Sequence, residues 1–572
     1  MATEPVEEQE KSATGKSAVE GIKEKSQWLR GTISLEMAKD SDHFSDEDKQ
    51  LLKFHGSYQQ EDRDARKNRR AEGLGKYYMF MVRARIPAGK MTAAQYLAFD
   101  SLAGTHANGT IRLTSRQSIQ FHGIIKKDLK GVIAGINDCL LSTLAACGDV
   151  NRNVMACPAP LHQDKAHKQI QDDAHALAMH LAPKTTAYHE IWLNGKAQHA
   201  PVEDAEPLYG KVYLPRKFKT GFTLPNDNCI DIYSQDLGFL ADVKDGEVTG
   251  YNVLVGGGMG MTHGKPATFP HLGKAIFYIP RDEALHAAEA VVKLYRDHGY
   301  RADRKRARIK YLVADWGLEK FRSVVQGYLS TPMALPKEIS VSGFDTHLGW
   351  HSQGEGKFFY GISIENGRIK DEGDFKLRQA LRQIVSKFQT QVRITAIQDL
   401  VICDLNPGAD QEIEKILRSH GVRPPGELSN IQKNSLACPA IPTCGLALSE
   451  SERLLPALID ELEKTVAELG LSQEIINVRM TGCPNGCVRP YQSEIGLVGR
   501  SGEKYVVYVG GHVHGARLNF LLKDLVPKAQ IIPMLRSLLV DFKAKRLSAE
   551  GFGDYCHRVG KEYLLALLPA GA

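Results

Sequence analysis

Four cysteines in the last third of this 572-residue sequence carry its clearest chemistry. Cys438 and Cys444 stand in Leu436-Ala-Cys-Pro-Ala-Ile-Pro-Thr-Cys, and Cys483 and Cys487 in Thr481-Gly-Cys-Pro-Asn-Gly-Cys. The flanking Pro and Gly residues suit a backbone wrapped around an ion better than core packing. Two such pairs, separated by an amphipathic helical stretch, can bring four thiolates to one point, as a cubane iron–sulfur cluster requires. Structural zinc is the competitor. Its cysteines usually stand two to four residues apart, a range that Cys483/Cys487 meet and the wider Cys438/Cys444 pair does not.

The second chemical signal is cationic. Arg83 and Arg85 fall on one predicted strand and Arg112 and Arg116 on another, so side-chain alternation lets each strand aim a guanidinium inward. Leu214-Pro-Arg-Lys-Phe-Lys-Thr-Gly is denser, with Lys217 and Lys219 on one face and Phe218 on the other. A single Arg or Lys reads as solvated surface charge. Several at matched repeat positions beside apolar neighbours are costly to bury without anionic partners. A carboxylate-rich cofactor or an oxyanion fits, because Arg pairs with planar carboxylates and Lys adds point charge and exchangeable protons.

The elements that must position these groups repeat along the chain. Ile111-Arg-Leu-Thr-Ser-Arg-Gln-Ser-Ile returns as Val392-Arg-Ile-Thr-Ala-Ile-Gln-Asp-Leu, each preceded by a β-rich run (78–86; 358–364) and a helical one (93–103; 375–388). Strand, helix, strand, helix is an α+β half-module, present twice. Asn151-Arg-Asn-Val-Met-Ala-Cys-Pro then echoes Asn434-Ser-Leu-Ala-Cys-Pro. Leu237-Gly-Phe-Leu followed by Tyr251-Asn-Val-Leu-Val-Gly echoes Ile495-Gly-Leu-Val followed by Tyr505-Val-Val-Tyr-Val-Gly, and the closing helices 283–298 and 531–545 match. The fold class is therefore α+β, two homologous halves with pseudo-twofold symmetry, joined by a Pro-, Gly- and Ser-rich linker near 330–351. This self-alignment sets Lys219-Thr-Gly-Phe opposite Met480-Thr-Gly-Cys. It leaves the first half only Cys157 of the cysteine pattern, with a lysine-bearing strand in place of the metal loop.

Composition narrows the class. A 42% hydrophobic content supports large cores, and ten cysteines are too sparse for a disulfide scaffold, which implies a reducing, cytoplasmic setting. No apolar run reaches membrane-span length, and a net charge of +6 over this length does not point to nucleic acid. Residues 1–26 read as a polar, solvated tail without a secretory or transit pattern. Gly256-Gly-Gly-Met-Gly resembles a dinucleotide fingerprint, but the residues after it do not open a helix. His55 and His122 read as structural hydrogen-bonders rather than proton relays. Ser449-Glu-Ser-Glu reads as the cap of a helix whose core face is Leu454, Leu458, Leu462 and Leu469, stopped by Gly470.

From about Trp28 almost to the C-terminus the chain resembles the sirohaem-containing sulfite and nitrite reductase family. The motifs are Phe54-His-Gly-Ser-Tyr-Gln-Gln, Arg112-Leu-Thr-Ser-Arg-Gln, Asn151-Arg-Asn-Val, Pro215-Arg-Lys-Phe-Lys-Thr, both cysteine pairs and Gly551-Phe-Gly-Asp. The resemblance implies that Cys438, Cys444, Cys483 and Cys487 hold a [4Fe-4S] cluster and that Cys487 also ligates the sirohaem iron. It implies substrate cations at Arg83, Arg152, Lys217 and Lys219, and sirohaem carboxylate partners at Arg112, Arg116 and Arg216. The expected reaction is six-electron reduction of sulfite to sulfide, with electrons from a separate NADPH-oxidising flavoprotein carrying FAD and FMN, hence a hetero-oligomer. The paired lysines favour sulfite over nitrite; a nitrite reductase with a ferredoxin donor and a zinc-stapled binding protein are the alternatives. His512 and Val488 depart from the family's usual Asn and Gly. The implied organisation is a tail and arm at 1–70, ferredoxin-like halves at 71–148 and 352–425, a sirohaem and substrate lobe at 149–330, a linker at 331–351, and a cluster lobe at 426–572.

Overall fold

The computed structural model describes residues 15–184, 192–193, 196–197 and 206–569. Its centre is a pair of five-stranded antiparallel sheets built alike. The first runs Ser57–Glu61, Tyr78–Arg83, Ser118–Ile124, Ile111–Thr114, Arg368–Ile369; the second runs Gly349–Gly354, Lys357–Ile362, Leu400–Leu405, Val392–Ile394, Lys90–Met91. Each sheet is completed by an edge strand lent by the other half, Arg368–Ile369 on Ile111–Arg112 and Lys90–Met91 on Val392–Arg393. Both lent strands leave a single 3₁₀ turn whose last two residues have positive φ, Ala88 and Gly89 in one and Asn366 and Gly367 in the other. A Cβ on Gly89 would sit 2.4 Å from the Ile394 carbonyl oxygen, and one on Gly367 2.6 Å from that of Leu113, so only glycine lets the chains cross there.

Helices Ala93–His106 and Leu129–Asp138, with Leu377–Phe388 and Ala409–Ser419, cover these sheets. Leu377, Ala380, Leu381, Ile384 and Val385 form the buried stripe of one of them, at helical spacing. Because the sheets are interlocked, Phe80, Tyr96, Phe121, Tyr360, Ile384 and Ile402 belong to one shared core.

Two further lobes repeat each other. The strands Thr220–Thr223, Leu237–Lys244, Glu247–Val255 and Lys274–Pro280 form one sheet; Ser435–Ala437, Val478–Thr481, Ile495–Ser501, Lys504–Val509 and Phe520–Pro527 form the other. Helices Ala284–His298 and Lys528–Lys545 follow in matching places.

Their register corrects the expected alignment of the loops. Thr220 pairs with Leu237 and Val478 with Ile495, so Thr220 corresponds to Val478 and Lys219 to Asn477. Consistently, the Lys219 amide donates to Asp236 at 3.0 Å and the Asn477 amide to Glu494 at 3.0 Å. Lys219-Thr-Gly-Phe thus lies three residues away from the place the repeated Thr-Gly suggested. Between the paired strands both loops have the same length, and each ends in an αL residue and a 3₁₀ turn, Asp231 before Ile232–Ser234 and Arg489 before Pro490–Gln492. Cys229 therefore corresponds to Cys487. Met155 bridges Gly221 as Leu436 pairs with Arg479, which sets Cys157 opposite Cys438. The first lobe retains two of the four cysteines rather than one.

Two smaller expectations also change. Within the supposed tail, Ala18–Lys25 is a helix docked on the first lobe. Lys23, fully buried, pairs with Glu20, approaches Asp149 at 3.7 Å and donates to the Leu214 carbonyl at 3.0 Å; residues 1–14 lie outside the described residues. The helix expected to open at Ser449 begins at Leu455, because Ser451 instead donates its hydroxyl to the Met480 carbonyl at 2.7 Å and the Ser449 amide donates to that of Gly482 at 3.1 Å. Its stop holds, with Gly470 at φ +68°.

Candidate active site

The four cysteines converge. Burial pushes three of their thiols up, and neighbouring sulfurs add to it: Cys438 responds first to burial and then to Cys487, Cys483 and Cys444, Cys444 to burial and Cys487, and Cys483, driven to about 12, to burial, Cys487 and Cys444. Hydrogen bonds aim at the sulfurs, from the Gly482 amide to Cys438 Sγ at 3.3 Å and from Asn485 Nδ2 to Cys483 Sγ at 3.4 Å. Gly486, at φ +60°, makes the turn between the last two cysteines. The Gly-rich stretch 256–261 packs here as an irregular loop, the Met261 amide donating to the Pro484 carbonyl at 2.9 Å. Arg63 clamps the first pair from outside, reaching the carbonyls of Cys444 and Ala447 at 3.0 and 2.7 Å. Val488 is buried beside Leu436, Cys438, Ala440 and Ala447, so its side chain fills the space under the cluster loop.

Cys438 and Cys483 are buried, Cys444 is half-buried, and Cys487 is exposed. Cys487 faces cations. Its charge acts on Lys217, which burial and the nearby Arg308, Arg152 and Arg216 depress to about 7. Lys219 is pushed well below its ordinary value by burial, Lys217, Arg116 and Arg308. Neither lysine Nζ has a hydrogen-bond or ion-pair partner among the described residues, although both residues are half-buried. Around Tyr58 the other cations gather: burial raises its phenol, Arg152, Arg83 and Arg216 oppose that, and Arg152 holds a hydrogen bond with it. Arg83 donates to Cys147 Sγ at 3.0 Å, and Arg216 lies 3.7 Å from Asp149. Six of the seven predicted cations thus form one connected group, acting on Tyr58 or on one another, and Cys487 acts on Lys217 within it.

Arg112 stands apart. Its guanidinium is buried behind the cluster loop, 3.0 Å from Glu452 and donating to the Ala437 carbonyl at 2.7 Å. Arg116 directs Nε, Nη1 and Nη2 to Asn153 O, Gln235 and Thr220 O at 3.0, 2.6 and 2.6 Å. A guanidinium has five N–H groups, so two remain for an incoming carboxylate.

Several residues of the site escaped the sequence reading. Asp231 bridges Arg479 at 2.6 Å and Arg489, and Arg489 continues to the carbonyls of Ser115 and Ala396, both at 3.1 Å. That one side chain, two residues past Cys487, ties the cluster loop to the first lobe and to both ferredoxin-like halves. Arg308 is held bidentately by Asp236 at 2.9 and 2.8 Å, keeping a fixed positive charge beside Lys217. The repeat positions of Asp231 and Arg489 were the available signal, visible only once the register is known. His55 takes its expected structural role, with Nε2 3.2 Å from the Leu29 carbonyl. His122 does not: both of its buried ring nitrogens lack a hydrogen-bond partner among the described residues.

The donor set fits a cluster better than zinc. Among the described residues no three of the four sulfurs lie within 4.8 Å of one another, whereas four sulfurs bonded to one zinc at about 2.3 Å would stand about 3.8 Å apart. A cubane takes the wider spacing, and N–H groups directed at sulfur tune its potential. The unpartnered ammonium groups and spare guanidinium donors of this cationic group fit a ligand carrying several carboxylates.

Fold and site together define a duplicated ferredoxin-like scaffold with four converging cysteines beside a group of cations. Residues 73–139 and 351–420 match the Nitrite/Sulfite reductase ferredoxin-like half domain, and residues 172–333 the Nitrite and sulphite reductase 4Fe-4S domain. The chain belongs to the nitrite and sulphite reductase family. It is 45% identical to the sulfite reductase [NADPH] hemoprotein beta-component of Staphylococcus saprophyticus, covering 95% of each chain. It is 43% identical to the sulfite reductase [ferredoxin] of Synechococcus elongatus, covering 96% of this chain and 90% of that one. The structure of the Mycobacterium tuberculosis NirA protein shares the fold, with a TM-score of 0.78 at 24% identity over 95% of this chain and 96% of that one. No described helix is long and apolar enough to cross a membrane.

Proposed function

We propose that this chain reduces sulfite to sulfide, as the haem-bearing component of an assimilatory sulfite reductase that feeds cysteine synthesis in the cytoplasm. The observation that carries this is the pair of unpartnered, half-buried ammonium groups, Lys217 and Lys219, with Lys217 under the influence of the exposed Cys487. Cys438, Cys444, Cys483 and Cys487 would hold a [4Fe-4S] cluster, with Cys487 shared with a sirohaem iron. When bound, these groups would pass electrons from the donor, six in all, to one bound anion.

The chain's own residues do the rest. Arg116 and Arg216 would pair with sirohaem carboxylates, and Arg112 would act from behind, fixing the Ala437–Cys438 backbone. Arg83, Arg152, Lys217 and Lys219 would bind the oxyanion and neutralise it in a pocket shielded from water, where fixed charges act strongly. Lys217, depressed to about 7, would deliver a proton from Nζ to a departing sulfite oxygen and recover it from solvent. The domain assignment follows: 149–330 carries the anion site, 426–572 the cluster, and 71–148 with 352–425 the frame between them. Electrons would come from a separate NADPH-oxidising flavoprotein with FAD and FMN.

The test is a visible spectrum with iron and acid-labile sulfide counted on the same purified sample. Tetrapyrrole bands with about five irons per chain, one haem plus four cluster irons, and sulfite turnover exceeding nitrite turnover are expected. A colourless protein made in cells able to produce sirohaem would overturn the reading. Turnover with reduced ferredoxin but not with an NADPH flavoprotein would overturn the donor alone.

A further inference from the structure

The first lobe carries a second convergent set of ligands, outside the site described above. Cys157, Asp227, Cys229 and His347 are all buried, and one donor atom from each lies within 4.8 Å of the others. Cys157 and Cys229 occupy the positions that Cys438 and Cys487 hold in the second lobe, and Asp227 the position of Asn485. His347 comes from the segment connecting the two halves of the chain, which reaches back to close the group.

We propose that Cys157, Cys229, Asp227 and His347 bind a structural zinc ion in the first lobe, the repeat's counterpart of the cluster site. The donor atoms are spaced for it. His347 Nε2 stands 3.4 Å from Cys157 Sγ and 3.2 Å from Asp227 Oδ2. Tetrahedral bonds of about 2.3 Å to sulfur and about 2.0–2.1 Å to nitrogen and oxygen require about 3.5 and about 3.3 Å for these pairs. Cys157 Sγ to Asp227 Oδ2 is 2.8 Å, a thiol hydrogen bond that ionisation of the thiol and an intervening cation would open.

Outer contacts orient the ligands as in known zinc sites. Asp227 accepts the amides of Cys229 and Asp345 on Oδ1, both at 3.2 Å, which leaves Oδ2 for the ion. The Asp345 carboxylate lies 3.9 Å from His347 Nδ1. His167, anchored through Nδ1 to Asp164 at 2.7 Å, turns Nε2 toward Asp227 Oδ2 at 3.9 Å and also contacts Cys157. Two sulfurs, a carboxylate and an imidazole give the chemistry of a closed zinc site, and full burial leaves no open position for substrate. The ion would pin the connecting segment to the first lobe, fixing the relation of the two halves without joining the redox chemistry.

The test uses the full chain with its cofactors, purified from zinc-replete cells. Elemental analysis should find about one zinc per chain beside the iron, and zinc K-edge absorption should fit about two sulfurs at 2.3 Å and about two lighter atoms at 2.0–2.1 Å. The Cys157→Ser, Cys229→Ser double variant should lose at least about ten-fold in bound zinc, and Asp227→Asn, nearly isosteric, should lower zinc affinity about ten-fold or more. Iron counted on each sample reports whether the cluster lobe has folded, so failure here is distinct from failure of the sulfite reading. Wild-type protein with full iron and no zinc would overturn the proposal. So would zinc retained by both variants, or a zinc edge without sulfur neighbours.

Discussion

Lys217→Met separates a charge kept for chemistry from one kept for the fold. Lys217 Nζ has no protein partner among the described residues, so the substitution breaks no hydrogen bond or ion pair. Burial, together with Arg308 and Arg152, lowers its pKa from 10.5 to about 7. The folded chain therefore resists the charged form. The penalty is absent above pH 10.5, grows as pH falls toward 7, and is complete below it. Each pH unit across that window adds about 1.4 kcal/mol, so the whole penalty is at most about 5 kcal/mol in the chain without bound anions. Methionine keeps an unbranched stem one atom shorter and removes the penalty. The thermal midpoint of the variant should be equal to or above that of the wild type, with the gap widening from pH 10 to pH 7. Loss of one preorganised charge should cost on the order of 100-fold in sulfite turnover, assayed with a chemical electron donor so that partner docking plays no part. Iron content and the visible spectrum should be unchanged. A lower midpoint with loss of iron would show that Lys217 holds the fold, and unchanged turnover would show that it does not meet the substrate; either result refutes the reasoning.

Asp231→Asn should leave Arg479 and Arg489 buried without their counter-charge, costing about 3–5 kcal/mol; chemical denaturation with iron counting on the same samples would show a lower midpoint and cluster loss. Asp399, fully enclosed and donated to by the Ile364 amide at 2.7 Å, is pushed up to about 8 by burial. Its protonated form favours folding, so stability falls as pH rises from about 4 toward 8, by about 1.4 kcal/mol for each pH unit. Asp399→Asn should abolish that slope in thermal melts taken across pH. Removing residues 1–26 should cost on the order of 1–2 kcal/mol and so lower the melting midpoint by about 1–2 °C in a chain this large, because the buried Lys23–Glu20–Asp149 contacts go with it. An unchanged midpoint would mean that the docked helix adds nothing to the first lobe.

The sequence by itself determined which residues could do chemistry and that the chain repeats. Cysteine spacing flanked by Pro and Gly, and lysines alternating on one face, are local patterns, and local geometry is enough to read them. The duplicated strands at 111 and 392 were legible for the same reason, since each copy carries its own hydrophobic alternation.

Only the tertiary structure decided how the copies meet. Pairing register is set by hydrogen bonds between strands distant in sequence, so a recurring Thr-Gly could misplace Lys219 by three residues and conceal Cys229 as the counterpart of Cys487. The exchange of Lys90–Met91 and Arg368–Ile369 between sheets is likewise a long-range pairing with no signature in two-residue strands. Arg112 and Arg116 read identically as inward cations, yet Glu452, far along the chain from both, draws one behind the cluster loop while the other turns to Gln235 in the first lobe. Which buried charge meets which partner depends on where the chain returns in space, because a charge taken out of water is stabilised only by groups that arrive within a few ångströms of it.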